Sequence, residues 1–192
     1  IASCLVGSEM CIRDRVNPAE RRLAVLLNRA DVVDLAADVA VSRGSLALES
    51  VMGRSPAAPL PMHGFNLLEV RPEGTRVLSW DGAELRETSL ADGIHMIAHD
   101  DLDDLDTPRI AAWLPEFRGL GATADSPDWS GAWTSLLASS ARLDPEDDRA
   151  IIRDNRPHGY PTQSLLYCTA SVTPEGVDVD YRALPSPGHW DH

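Results

Sequence analysis

The chain has 192 residues, 43% of them hydrophobic, which is enough for one domain with a sizeable core and too little to suggest two. Its formal net charge of −13 repels phosphate backbones and anionic lipid heads, and no basic patch offsets it, so nucleic acid and membrane surfaces are not expected partners. No stretch approaches the roughly 18 consecutive apolar residues of a membrane-spanning helix, and the first residues lack a signal peptide's basic start and apolar core, so the expected location is cytoplasmic.

Residues 1–15, Ile-Ala-Ser-Cys-Leu-Val-Gly-Ser-Glu-Met-Cys-Ile-Arg-Asp-Arg, resemble a translated sequencing-adapter read-through and are set apart from the domain, which is taken as residues 16–192. Their charges cancel, Arg13 and Arg15 against Glu9 and Asp14, but setting them aside leaves Cys168 as the only cysteine. One cysteine builds neither a disulfide framework nor a cysteine-based zinc site.

Arg22 to Asn28 is an apolar run ending in a polar residue, the pattern of a buried strand that delivers Asn28 to a sheet edge. Ser42 offers a cap to a helix whose apolar face would be Leu46, Leu48, Val51 and Met52, with Gly53 and Pro56 stopping it. After a Pro-rich loop from Ser55 to Pro61 come four strand-like runs, Gly64 to Val70, Thr75 to Trp80, Ala83 to Thr88 and Gly93 to His99. They read as a meander, with Asp81-Gly82 as a type I′ hairpin turn in which both residues take positive φ.

Thr107-Pro108 predicts a helix start, a capping hydroxyl followed by proline at the first helical position. Ile110, Trp113, Leu114 and Phe117 form its core-facing stripe, and Pro115 is expected to bend or end it. Trp129, Trp133, Leu136, Leu137 and Ser140 predict a further helix, and Asp144-Pro145-Glu146-Asp147 starts another that runs through Ile152. Thr162 to Thr173, a turn at Pro174-Glu175-Gly176, and Val177 to Leu184 predict a closing hairpin. Strands, then helices, then strands indicate an α+β layered domain with mostly antiparallel sheets.

Within this order, His63-Gly64-Phe65-Asn66-Leu67-Leu68 resembles the Gly-Phe-Asn-Leu segment that starts a central strand in the NRDE family, the transport and Golgi organisation protein 2 family. Leu26-Leu27-Asn28 stands where that family has a strand ending in Asn, and Gly159-Tyr160 through Thr173 resembles its C-terminal Gly-Tyr-Gly-Thr-Arg hairpin. The resemblance covers roughly residues 20–190 in collinear order. It is that of an N-terminally truncated bacterial member, and the all-Arg complement of 17 positive residues fits a GC-rich genome. The family's Asn-Arg-Asp-Glu motif belongs before residue 16 and is absent, and Asn28-Arg29-Ala30-Asp31 only imitates it. Met10-Cys11 likewise imitates the Met-Cys start of full-length relatives, but the residues after it do not continue as the family does.

The resemblance implies an incomplete αββα sandwich of the N-terminal-nucleophile hydrolase class. In that class the first residue of the mature chain, often Cys, attacks an amide carbon while its own α-amine takes the proton. Asn side chains and backbone amides stabilise the oxyanion. By position, Asn28 and Asn66 carry over as candidate oxyanion or site-lining groups, and His99, where animal members have an Asn, joins them. Thr162-Gln163 replaces the family's Thr-Arg, so a guanidinium that would orient a carboxylate becomes a neutral amide. The implied activity is hydrolysis of a C–N amide bond in a small-molecule substrate, with the nucleophile end missing, the fragment inactive and no cofactor expected. The alternative it implies is a non-catalytic binding or trafficking protein for haem or another small hydrophobic metabolite.

Read on their own, Asn28 and Asn66 are also ordinary strand-end residues that would bond backbone groups. His95 and His99 would share a strand face and could pair on a metal, or form ordinary half-buried hydrogen bonds. Asp100, Asp101, Asp103, Asp104 and Asp106 could hold calcium or magnesium, but they lack the Gly and terminal Glu of an EF-hand loop and read more simply as a solvated acidic lead into a helix. No Gly-x-Ser-x-Gly elbow supports a Ser-His-Asp triad, and Cys168 inside an apolar strand reads as a small buried hydrophobe. His189 and His192 fall in a Pro-Ser-Pro-Gly tail expected to be exposed.

Overall fold

The computed structural model describes residues 2–7, 13–29, 40–120, 129–159, 163–186 and 188–190. Cys11, Tyr160, Thr162 and His192, all singled out in the sequence, lie outside the described residues. The strands are β1 (Ala2–Gly7), β2 (Arg13–Asn17), β3 (Arg22–Asn28), β4 (Phe65–Arg71), β5 (Gly74–Trp80), β6 (Leu85–Ser89), β7 (Leu166–Val172) and β8 (Val177–Ala183). The helices are α1 (Leu46–Val51), α2 (Pro108–Gly119) and α3 (Trp129–Ser140).

Every pairing is antiparallel, and the strands form a sheet of order β2-β3-β4-β5-β6 and a second of order β1-β7-β8. The chain is thus a mixed α+β fold with two antiparallel sheets and several helices, as its segregated pattern predicts. Residues 2–7 and 13–17 supply β1 and β2, each at an edge of its sheet.

β3 is apolar at consecutive positions because both of its faces are covered. Ala24 and Leu26 point one way, with Phe65, Leu67, Leu78 and Trp80, against Leu46, Ala47 and Val51 of α1. Leu23 and Val25 point the other way, with Val70, against Cys168, Ala170 and Val172 of β7. The larger sheet therefore lies between α1 and the smaller sheet. Cys168 is buried in this inter-sheet core, as its apolar strand context predicts.

A charged network crosses the α1 face of the larger sheet. Glu69, 1% exposed, accepts from the Ser50 hydroxyl of α1 at 2.6 Å and is paired with Arg71 and Arg76. Burial pushes its carboxyl up, but the hydrogen bonds from Ser50 and Arg76 and the charges of Arg71 and Arg76 outweigh that, holding it below its ordinary 4.5.

Several local expectations are corrected. The buried stripe of α1 is Leu46, Ala47, Ser50 and Val51, while Leu48 and Met52 are exposed. Ser42 does cap, accepting from Gly44 N at 3.2 Å, but it caps a single 3-10 turn at Arg43–Ser45 that leads into α1. The β5–β6 hairpin has no two-residue I′ turn. Its last pair is Trp80 with Leu85, Gly82 alone of the expected pair has positive φ, and the Asp81 carboxylate takes the amides of Ala83 and Glu84.

Gly93 to His99 is a loop rather than a fourth strand. Its alternating Ile94, Met96 and Ala98 pack on Ile110 and Leu114 of α2, while the Met96 amide goes to the Asp103 carboxylate at 2.7 Å rather than to β6. Period-two apolarity met a helix here instead of a sheet edge.

α2 runs through Pro115 to Gly119, because residue 115 is exposed and the buried Ile110, Leu114 and Phe117 hold the helix on either side. Proline stands at its start as expected, but the Thr107 hydroxyl donates to Asp100 at 2.9 Å instead of capping. Residues 144–152 form turns, not a helix. The carboxylates of Asp144 and Asp147 accept from the amides of Glu146 and Arg149, and the buried Arg153 guanidinium binds the carbonyls of Glu146 and Asp147, so these groups are diverted from a helical ladder. β7 begins at Leu166, later than expected, and Gln163 makes only an isolated bridge to Asp154. Among the described residues no helix is long and apolar enough to cross a membrane.

Candidate functional site

Register decides which side chains can meet. Leu27 pairs with Asn66, Asn66 with Ser79, and Ser79 with Arg86, so these four form one cross-strand row over β3, β4, β5 and β6 on a single face. Arg29, two residues beyond Leu27, continues that face. Asn28 pairs with Phe65, and Phe65 with Trp80, which places Asn28 in the next row on the α1 face. The two asparagines carried over by resemblance therefore point to opposite sides of the sheet.

Asn66 is 0% exposed, and its carboxamide is fully engaged. Its Nδ2 donates to the carbonyls of Ala98 at 3.2 Å and Asp100 at 2.8 Å. Its Oδ1 accepts from the Ser79 hydroxyl at 2.7 Å and from Arg29 Nη1 at 3.5 Å. Both amide hydrogens are spent, so in this arrangement Asn66 pins the loop over residues 98–100 and has none left for a substrate oxygen. Asn28 is half-buried and makes no side-chain hydrogen bond among the described residues.

The pinned loop carries His99, Asp100 and Asp101. His99 is the middle residue between the two carbonyls that Asn66 holds, and it is half-exposed, with Nε2 3.1 Å from Asp100 Oδ2. Structure thus brings His99 and Asn66 together through the backbone between them. Asp101 reaches down to the row: its Oδ1 lies 2.8 Å from Arg29 Nη2 and 3.1 Å from Arg86 Nη2. The Arg29 side chain is 11% exposed, whereas Asp101 is 55% exposed. Nearby, Asp81 is held below the usual carboxylate range, first by the Glu84 and Ala83 amides and then by Arg86 and Arg29.

Arg29, Ser79 and Arg86 were not singled out as site residues by sequence reasoning, and Asp101 was noted only within the acidic run after His99. The alternation through β3 was a signal for Arg29, since it falls in phase with Val25 and Leu27 on an inward face. Nothing local marks the others, because their meeting depends on the register of three strand pairs.

Both ring nitrogens of His95 are engaged away from His99. Its Nδ1 lies 2.7 Å from Asp103 Oδ2, which Arg118 also binds at 2.9 Å, a loop-to-α2 clamp. No group of three or more His, Cys, Asp or Glu suited to a metal ion occurs among the described residues. Cys168 lies in the core between the sheets, in the cluster against which Leu27 of the row packs.

The chain matches no family model, no curated protein and no solved structure. The row fixes the loop through Asn66, and row and loop together offer two guanidiniums and an exposed imidazole. A second, shallower feature is a cleft of about 270 Å³ where Trp129 and Ser130 of α3 face Thr169, Ser171, Asp178 and Asp180 on the outer side of the β7–β8 hairpin.

Proposed function

We propose that this domain is an amide hydrolase of the NRDE type, related in architecture to the αββα N-terminal-nucleophile hydrolases. The observation that carries the reading is the position of Gly64-Phe65-Asn66-Leu67. The segment opens β4, the middle strand of the larger sheet, and sets the fully buried Asn66 in a row with Leu27, Ser79 and Arg86. Two stacked antiparallel sheets with α1 outside one of them, and with the start of α3 facing the outer side of the other, support the layered assignment.

In this reading Asn66 is a positioning residue, not an oxyanion donor. It holds the loop that carries His99 and Asp101, while Arg29 and Arg86 supply positive charge where negative charge develops in acyl transfer. The Ser79 hydroxyl of the row is given to Asn66 Oδ1, and the proposal assigns the nucleophile's role to an N-terminal Cys or Ser.

The test is to express the gene from its source locus, reading the codons before Val16 from source DNA, and to measure amine release from short N-acyl amides. The expected result is turnover that disappears when the N-terminal Cys or Ser is replaced by Ala. Finding neither residue after the initiator Met would sink the nucleophile assignment. Absence of turnover together with a saturable Soret shift on haem titration would replace hydrolysis with binding.

A further inference from the structure

Both guanidiniums of the row are only partly used. Arg29 and Arg86 converge on one oxygen of Asp101, each through Nη2, and the Nε of each is buried with no hydrogen-bond acceptor among the described residues. An arginine binds a carboxylate best side-on, through Nε and Nη2 together, so a single shared oxygen leaves half of each fork idle. Buried donors without acceptors are uncommon in folded proteins, and two on facing guanidiniums call for an explanation.

Asp101 is suited to being displaced. It is 55% exposed and sits on the loop just beyond Asp100, whose carbonyl Asn66 anchors, so its side chain can swing to solvent while the backbone stays pinned. Asp81, the other nearby carboxylate, is committed to the amides of its own turn. Arg29 cannot follow Asp101 outward, because its own Nη1 is bonded to the buried Asn66.

We propose that Arg29 and Arg86 form a binding site for the carboxylate group of a small ligand, with Asp101 as an internal occupant that the ligand replaces. The incoming carboxylate spans both guanidiniums, taking Nη2 from each and at least one idle Nε. Asp101 then sets affinity by competition, since the ligand sees only the fraction of molecules in which it has moved aside. The site stands whether or not the domain cleaves an amide.

Acetate is the probe, titrated against the full chain at constant ionic strength with chloride as the balancing anion, following the Nε–H resonances of Arg29 and Arg86 by nitrogen-15 NMR. The expected result is a saturable shift of both resonances, tightened about tenfold by Asp101→Ala and weakened at least about tenfold by Arg86→Gln. Arg86 is 41% exposed, so the second variant is expected to keep the fold. An Asp101→Ala protein that binds acetate no more tightly overturns the competition, and an Arg86→Gln protein that titrates like the parent overturns the site. Equal shifts with chloride alone would reduce it to screening.

Discussion

Replacing Asn66 with Ala separates an anchoring carboxamide from one held in reserve for a ligand. The substitution removes two donors and an acceptor from a fully buried position, leaving the buried Ala98 carbonyl and the Ser79 hydroxyl without partners and releasing the Asp100 carbonyl. An unsatisfied buried group costs about 1–3 kcal/mol. Two such groups, with some relief from water reaching Asp100, give a loss of about 3 kcal/mol. At an m-value of about 2 kcal/mol/M, the urea midpoint of Asn66→Ala falls by about 1.5 M relative to the parent. Asn66→Asp should do no better at neutral pH, because an ionised carboxylate has no hydrogen to offer either carbonyl. Hydrogen exchange adds the local reading, with protection lost first around Ala98 to Asp101. An Asn66→Ala protein within about 1 kcal/mol of the parent would refute the anchoring argument.

Glu69→Gln breaks a buried ion cluster and leaves Arg71 and Arg76 facing a neutral amide, so chemical denaturation should show a loss of about 3 kcal/mol at neutral pH. Its carboxyl is held below 4.5 when folded, so its contribution is present above that value and lost as pH falls through the lower folded one. The gap between parent and Glu69→Gln should accordingly narrow on acidification, and a gap constant with pH would contradict the assignment. Pro115→Ala restores an amide that can bond the Ala111 carbonyl within an exposed turn of α2, so thermal unfolding should show a gain of about 1–2 kcal/mol, after allowing for the unfolded-state entropy that proline had removed. A lower melting temperature would mean that Pro115 is needed where it stands.

The strands were the most legible part of the fold. β3 matches its apolar run from Arg22 to Asn28, β4 and β5 fall on their expected runs with consecutive buried positions, and β7 alternates, sending Cys168, Ala170 and Val172 into the core between the sheets. α2 and α3 were legible for the same reason, through Ile110, Leu114 and Phe117 and through Trp129, Trp133 and Leu137. Readings failed where side chains competed with the backbone ladder. Asp103 captures the Met96 amide and spoils a strand, and Asp144, Asp147 and Arg153 satisfy the groups that a helix after residue 144 would have used. Carboxylates of this kind look like solvated loop residues in a sequence, and only the structure shows which amides they bind.

The site was half legible, and the missing half is a matter of register. Resemblance placed Asn28 and Asn66 at the same end of adjacent strands, but a side-chain period of two makes the face depend on one residue of offset. Leu27, not Asn28, lies opposite Asn66, so no single reaction centre on one face of the sheet can be lined by both asparagines. The faces are chemically distinct as well. Asn28 shares its row with Phe65 and Trp80, buried apolar residues under α1, whereas the Asn66 row collects Ser79, Arg29, Arg86 and the Asp101 loop. Charge that develops during a reaction needs donors already in place. Among the described residues the pair Arg29 and Arg86 stands on the Asn66 side, so that face, rather than the one under α1 that carries Asn28, is the one the proposed chemistry would use.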